Sequence, residues 1–590
     1  MGHRGKRRTS FFAPQSRRSF LRRAGHTAGA VVGAGLVTGC SDGADVRVRR
    51  SPGSSDTAFA HGVASGDPLA DRVMLWSRVT PAMAGDISVE WRLAESPDMA
   101  NPLRSGTVVT NAERDYTVKV DATGLAPGTT YYYGFNALGT ASPIGRTRTL
   151  PEAGVERLRM AVVSCSNYPF GFFNVYGRIA ERADLDVVLH LGDYIYEYPG
   201  RGVPPEVNPD EYGDGRPLGR APEPPYEIVT LDDYRTRYAC YRTDPDLQAV
   251  HRQHPMIVVW DDHESANNSW QGGAQNHDPA RGEGPWPKRE TASVQAYYEW
   301  LPIRESEPDT PLPIYRSFDF GDLVRLNMLD TRLIGRDEQL DNNAENGFTD
   351  TGAYADSERT LIDNDQYDWL ADQLQNSPAR WQLLGQQVMF GQLKAVGAPN
   401  SANTENPDGQ GGVFINADQW DGYPRARERV WRLIRGGQGA PNVAIDNIVV
   451  LTGDIHTSWA QDITEDPNNP DFYNPDTGTG SMAVEFVGTS VTSPGSNGDP
   501  ESVKSQNPAM QYVELASRGY MLLDITRERV QSEWWFVDDI ETRNDRQRFG
   551  AAYLVENSQN HVVAGEGASV ERQTAPALAP VRANFNTDTA

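Results

Sequence analysis

The sequence predicts an α/β layered body preceded by an all-β sandwich. Three observations predict this. Short alternating or aromatic runs separated by turn residues fill residues 58–152, and from Leu158 onward the apolar runs become continuous and end in polar side chains. Helical stretches lie between several of the continuous runs, as expected of strands covered on both faces.

The chain has 590 residues, more than one ordinary domain needs. Hydrophobic residues at 38% and charged residues at 23% give normal globular material, which excludes collagen-like, fibrous and globally disordered classes. Net charge is −25, and residues 1–40 hold eight Lys and Arg with no acid, so the remainder is more acidic still. A body of that charge repels nucleic-acid phosphates and excludes stable binding through a broad basic face. Any phosphate it handles must meet localised cations or metals. Cys40, Cys165 and Cys240 stand too far apart for a dense disulfide framework or a four-thiolate zinc site.

Residues 1–40 are read as an export address. Arg17-Arg18 precede Phe20-Leu21, and a small, weakly apolar run from Ala24 to Val37 follows, the pattern of a twin-arginine signal that implies the Tat translocon as partner. Val37-Thr38-Gly39-Cys40 is similar to a lipobox, which would anchor the chain by lipid at Cys40. Cleavage after Ala58-Phe59-Ala60, with Cys40 discarded, is the alternative. The mature chain is then periplasmic, secreted or lipid-anchored, with no transmembrane helix.

Residues 41–57 are a Ser/Gly/Asp/Arg-rich linker. Strands are expected at Val73–Trp76, Ile87–Leu93, Thr107–Thr110, Tyr116–Val120 and Thr130–Phe135, a rhythm similar to fibronectin type III modules. The body spans residues 153–548. Its continuous strands begin at Met160, Val187, Ile257 and Ile448, with helices expected at 173–183, 293–300 and 363–374. Turn-rich stretches at 199–225, 397–412 and 466–479 read as long surface loops lining a mouth, and residues 549–590 as an extended or partly disordered tail.

Four strand exits deliver chemistry of one kind: Cys165 and Asn167; Asp193 and Tyr196; Asp261, Asp262, His263, Glu264 and Asn267; Asp454 and His456. Carboxylate, imidazole, phenolate and thiolate are all metal donors, and a shared Asp can bridge two cations. Crowding acids beside His at one sheet edge also demands compensating positive charge. Taken alone, Cys165 would be a buried thiol, Tyr196 a packing aromatic and Asp193 a turn residue; the joint pattern makes ligands of them. Cys240 and His190 are read as structural, and His61, Asp67, Asn167 and Glu264 as turn, cap or supporting residues.

His61–Pro68, Ser164–Asn167, Leu191–Glu197, Trp260–Glu264 and Thr452–His456 together resemble the alkaline phosphatase D (PhoD-type) family of the metallophosphoesterase superfamily, over residues 58–545. The resemblance implies a four-layer αββα sandwich in which Cys165, Asp193, Tyr196 and His456 hold Fe(III). Calcium, one or two ions, would lie on Asp262, Asp454 and Asn267, with Asp193 bridging. It further implies an alkaline phosphatase, a phosphomonoesterase with phosphodiesterase activity, whose nucleophile is a metal-bound oxide or hydroxide. Arg289 would hold phosphate charge and His263 would serve the leaving group. Ser164-Cys165-Ser166 stands where the superfamily usually has an Asp-x-His pair, so a dizinc or dimanganese centre is not implied. The rival readings are a phosphodiesterase or phospholipase-D-like enzyme and a non-catalytic envelope binding protein.

Overall fold

The computed structural model describes residues 58–200, 212–305, 313–340, 347–396, 412–436 and 443–580. The export address, the lipobox-like segment, the 41–57 linker, part of the 199–225 loop and most of the 397–412 loop lie outside the described residues. Among the described residues no helix is long and apolar enough to cross a membrane.

The N-terminal unit packs Val63–Gly66, Arg72–Arg78 and Thr117–Thr123 against a sheet of Arg104–Thr110, Ile87–Ala94, Thr130–Ala137, Thr140–Ala141 and Gly145–Arg148. Its core is filled at every second position, by Val73 and Leu75, Val118 and Val120, and Tyr131, Tyr133 and Phe135, the period of strands with one face inward. Ala58 and Phe59 belong to this core, and the Ala58 carbonyl accepts from the Thr80 N–H at 2.8 Å. Cleavage after Ala60 would remove both from it.

The first sheet does not stop at the domain boundary. Val63–Gly66 pairs in parallel with Pro255–Val258, which joins the N-terminal strands to a ten-stranded sheet that continues through Val187–His190, Arg157–Val163, Gly519–Thr526, Arg529–Val537, Gln547–Glu556 and Val562–Ala564. A second sheet runs in the order Arg316–Phe320, Val324–Met328, Trp381–Gln386, Ile448–Thr452, Ala483–Val487, Ser458–Ile463 and Met510–Glu514. Trp534 and Trp381 each donate an indole N–H across to the opposite sheet, to the carbonyls of Val487 and Thr526 at 2.9 and 2.7 Å.

Four layers result because the central strands are apolar on both faces. Val449 and Leu451 face the core between the sheets, whereas Ile448 and Val450 face the outer core under the helices Asn364–Gln375 and Pro424–Arg435. Asn174–Ala180, Leu231–Tyr241, Pro245–Gln253 and Trp286–Trp300 cover the ten-stranded sheet. Trp286–Trp300 starts earlier than expected, because Pro287 in the first turn lacks only an N–H that has no helical partner there.

The C-terminal expectation needs correction. Gln547–Glu556 and Val562–Ala564 are sheet strands with Ala552, Val555 and Val562 buried, a local alternation hidden by the aperiodic residues that follow. The chain then straps back over the body. Arg572 pairs with Asp186 at 2.8 Å, the Ala577 carbonyl accepts from the Tyr132 hydroxyl at 2.6 Å, and the Ala579 N–H donates to Gln253 at 2.8 Å.

Candidate metal centre

Every sequence-derived ligand sits just past the end of a strand. Cys165 follows Arg157–Val163, Asp193 follows Val187–His190, Asp261 and Asp262 follow Pro255–Val258, and Asp454 follows Ile448–Thr452. These are neighbouring strands of two packed sheets, so their carboxyl ends open onto one crevice. Three overlapping groups form there, each with donor atoms mutually within 4.8 Å: Cys165 with Asp193 and His456; Asp193 with Asp262 and His263; Asp261 with Asp262 and Asp454. Asp193 belongs to the first two and Asp262 to the last two, which makes the set continuous.

Tyr196 joins the first group. Its hydroxyl donates to Asp193 Oδ2 at 2.9 Å, lies 3.3 Å from His456 Nε2, and accepts from Ser493 at 2.8 Å. His456 Nδ1 is 2.9 Å from the Pro494 carbonyl, which can only accept, so the proton is on Nδ1 and the Nε2 lone pair faces the centre. His263 Nδ1 donates to Glu197 at 2.7 Å, and its ring stacks on Tyr196 with centroids 4.1 Å apart. Glu197 is fixed in turn by the Asn267 N–H and the Asn276 amide, at 2.7 and 2.8 Å.

The turns carrying these residues are held by few atoms. Glu264 accepts from the N–H groups of Asp193, Tyr194 and Asp261 at 3.0, 2.5 and 2.8 Å, tying two strand exits together. Cys165, Asp193, Asp454 and His456 all have left-handed backbone, with φ of 60°, 57°, 59° and 60°. For residues other than Gly this costs roughly 1–2 kcal/mol each, and such strain concentrates at functional sites.

Electrostatics explains why these residues need a cation. Two carboxylates about 4 Å apart repel by about 4 kcal/mol at an effective dielectric near 20, and Asp193, Asp261 and Asp262 are buried. Burial pushes the Asp193 carboxyl well above its ordinary range, against the pull of His263, and raises Asp454 to about 6 although Arg332 opposes it. Burial and the neighbouring Asp193 likewise raise the Cys165 thiol and the Tyr196 hydroxyl. Burial lowers His456 to about 3, and His263 is raised despite its burial because Asp262, Glu197 and Asp193 surround it. Bound metal would displace the protons that these anionic donors otherwise retain.

The donor set fits metals. Asp193 Oδ1 and Asp261 Oδ2 are buried without a hydrogen-bond partner. Thiolate, phenolate and imidazole on one side of Asp193 suit a transition metal, and carboxylates on the other suit a hard cation.

One expectation is corrected. Arg289 does not face the group: its side chain is wholly buried, donating to Tyr234 at 3.1 Å and paired with Glu227 and Glu283 at 3.1 and 3.4 Å. It supports Glu227, which holds Asn276 beside Glu197. The Asn267 oxygen accepts from Tyr198 at 2.9 Å and its nitrogen donates to Gln275 at 2.6 Å. Asp261 joins Asp262 and Asp454 in the third group. The structural reading of His190 agrees with a ring buried against the Tyr176 hydroxyl at 2.9 Å.

Sequence reasoning missed Arg332, Asp418 and Gln419. Arg332 follows Val324–Met328, a strand whose Arg325 and Asn327 break the apolar run that would have flagged its exit. It reaches Asp261, Asp418 at 2.9 Å and Asp454 at 2.7 Å, and Gln419 donates to Asp454 Oδ2 at 2.6 Å.

Comparison with known proteins gives a consistent result. The PhoD-like phosphatase family profile matches residues 160–534, and the profile of the PhoD-like phosphatase N-terminal domain matches residues 45–151. Alkaline phosphatase D of Bacillus subtilis strain 168 is 36% identical over 540 residues, 88% of this chain and 84% of that protein. A solved structure of PhoD is 32% identical and superposes with a TM-score of 0.75, covering 88% of this chain and 94% of that one.

One glycine in the crevice is obligatory. Gly192 has φ of +108°, and a Cβ there would meet the Asp261 backbone nitrogen at 2.5 Å. Gly192→Ala is expected to destabilise by more than about 2 kcal/mol, read as a lowered melting temperature in calorimetry.

Proposed function

Because this chain belongs to the PhoD-like phosphatase family, and so is a metal-dependent phosphate-ester hydrolase, we propose that it is an exported alkaline phosphatase holding Fe(III) beside calcium. The observation that carries the reading is the meeting of Cys165, Tyr196 and His456 on one side of Asp193, with Asp261, Asp262 and Asp454 on the other. The first set would hold the iron and the second the calcium, with Asp193 shared. When bound, such cations acidify water and neutralise phosphate oxygens.

The side chains would do the remaining work. His263, held through Nδ1 by Glu197 and stacked on Tyr196, keeps its other ring nitrogen for the departing alkoxide oxygen. Glu264 and the Ser493 hydroxyl hold the Asp193 turn and the Tyr196 phenol in place. A small cavity beside Tyr196 is lined by Tyr198, Tyr212 and Arg237 as well.

We extend the reading to phosphodiesters. A monoanionic diester meets less repulsion from the four carboxylates than a dianionic monoester does, so the site has no need of the second phosphate charge. Export is proposed from the twin arginines at 17 and 18.

Metal analysis joined to a visible spectrum tests the centre. The as-isolated protein is expected to contain iron and calcium and to be coloured by a phenolate-to-iron band. Tyr196→Phe should abolish the band, and Asp193→Ala should lose metal and at least about 10³-fold in kcat. Iron-free folded protein would overturn the assignment. With p-nitrophenyl phosphate and bis(p-nitrophenyl) phosphate on one preparation, both esters should be cleaved, and both activities should disappear on calcium chelation. In cell fractionation, replacing Arg17 and Arg18 by Lys should leave the protein in the cytoplasm.

A further inference from the structure

Arg332 pairs with three of the four crowded aspartates, Asp261, Asp262 and Asp454, and its geometry is that of a fixed component. Its side chain has no exposure. Nε donates to Asp261, Nη1 donates to both oxygens of Asp418 at 2.9 Å, and Nη2 donates to Asp454 Oδ1 at 2.7 Å and lies 3.9 Å from Asp262 Oδ1. A guanidinium has five N–H groups in a rigid plane, and hydrogen bonds to these carboxylates take four of them.

Asp261, Asp262 and Asp454 are also the trio whose oxygens lie within 4.8 Å of one another, the arrangement a hard divalent ion would take. Arg332 therefore contacts all three carboxylates of a candidate cation subsite. It is held there by Asp418, which is braced in turn by Arg336. Asp261 Oδ2, and Asp193 Oδ1 in the neighbouring groups, are buried and without a hydrogen-bond partner.

We propose that Arg332 is a resident monocation of the metal centre, a positioning residue that stands beside the calcium proposed on Asp261, Asp262 and Asp454, takes the place of a further divalent ion there, and so limits how many the centre accepts. The inference rests on the metal-centre reading above. It assigns Arg332 a role in metal stoichiometry, which a merely structural ion pair would not have. The two charges differ in kind: the guanidinium supplies one positive charge with no exchangeable ligand position, whereas calcium in its place would supply two and carry water.

Calcium per chain, counted by plasma mass spectrometry and by calorimetric titration with calcium chloride, tests this on the folded holoenzyme. Arg332→Lys, which retains a monocation, is expected to hold as many calcium ions as the wild type. Arg332→Gln is expected to hold one more, and its melting temperature should climb with added calcium further than that of the wild type. If Arg332→Gln does not fold without calcium, folded yield is measured along a calcium series to about 10 mM; recovery supports the proposal. Asp418→Asn, which loosens the outer anchor and leaves the inner carboxylates intact, should likewise admit an extra ion at raised calcium. An unchanged calcium count in whichever of the two variants folds overturns the inference. A wild type without bound metal overturns the proposed function instead, so the two failures are distinguishable.

Discussion

Four aspartates, Asp193, Asp261, Asp262 and Asp454, converge in one crevice, and the rest of the site is arranged around their mutual repulsion. Water cannot relieve it, because three of the four are buried. Arg332 and His263 supply positive charge from two sides, and backbone N–H groups supply more: Asp262 accepts from His263 and Asn268 at 3.0 and 2.6 Å. These donors leave Asp193 Oδ1 and Asp261 Oδ2 without partners. A buried carboxylate oxygen left in that state is unfavourable unless a cation completes it, so the same crowding that destabilises the side chains by themselves is what makes them bind metal.

The N-terminal sandwich takes part in holding this crevice. Its strand Val63–Gly66 completes the sheet beside Pro255–Val258, the strand that delivers Asp261 to Glu264. At the joint, Asp67 accepts from Arg316 at 2.7 Å and from the Arg304 N–H at 2.8 Å, and Arg316 also donates to the Val258 carbonyl at 2.8 Å. Trp76 reaches the Glu299 carbonyl at 2.8 Å, and Arg242 reaches that of His61 at 3.2 Å. The His61–Pro68 segment is thus a hinge-less seam, and the strap at 565–580 also bridges the units, through Tyr132 in one and Asp186 in the other. Motion between the two units would break sheet hydrogen bonds next to the metal ligands.

The layered architecture was legible because its strands announce themselves: an apolar run that ends abruptly in Gly-Asp or Asp-Asp-His has both faces buried and its chemistry at one end. Cys165, Asp193, Tyr196, Asp262, His263, Asp454 and His456 were singled out that way, and the structure brings them together. Arg289 was misassigned because a sequence shows that an arginine exists but not which carboxylates saturate it; Glu227 and Glu283 do so here. Arg332 was missed for the complementary reason. Its strand carries polar Arg325, so no continuous run pointed to it, and its partners come from two other strand exits and a loop. The late strands Gln547–Glu556 and Val562–Ala564 were hidden because the last two strands at this end of the sheet bury few of their residues and read weakly.

Backbone conformation is the part of the site that no residue pattern reveals. Four ligand positions in the left-handed region would together cost roughly 4–8 kcal/mol, and a sequence shows no Gly at any of them to relieve it. The strain persists because rigid groups oppose its release: Glu264 pins two of the turns through three N–H groups, and Gly192 lets Asp261 approach more closely than any side chain would allow. A looser chain would relax these turns and separate the donors. The turns just past the strand ends therefore hold the candidate donors side by side.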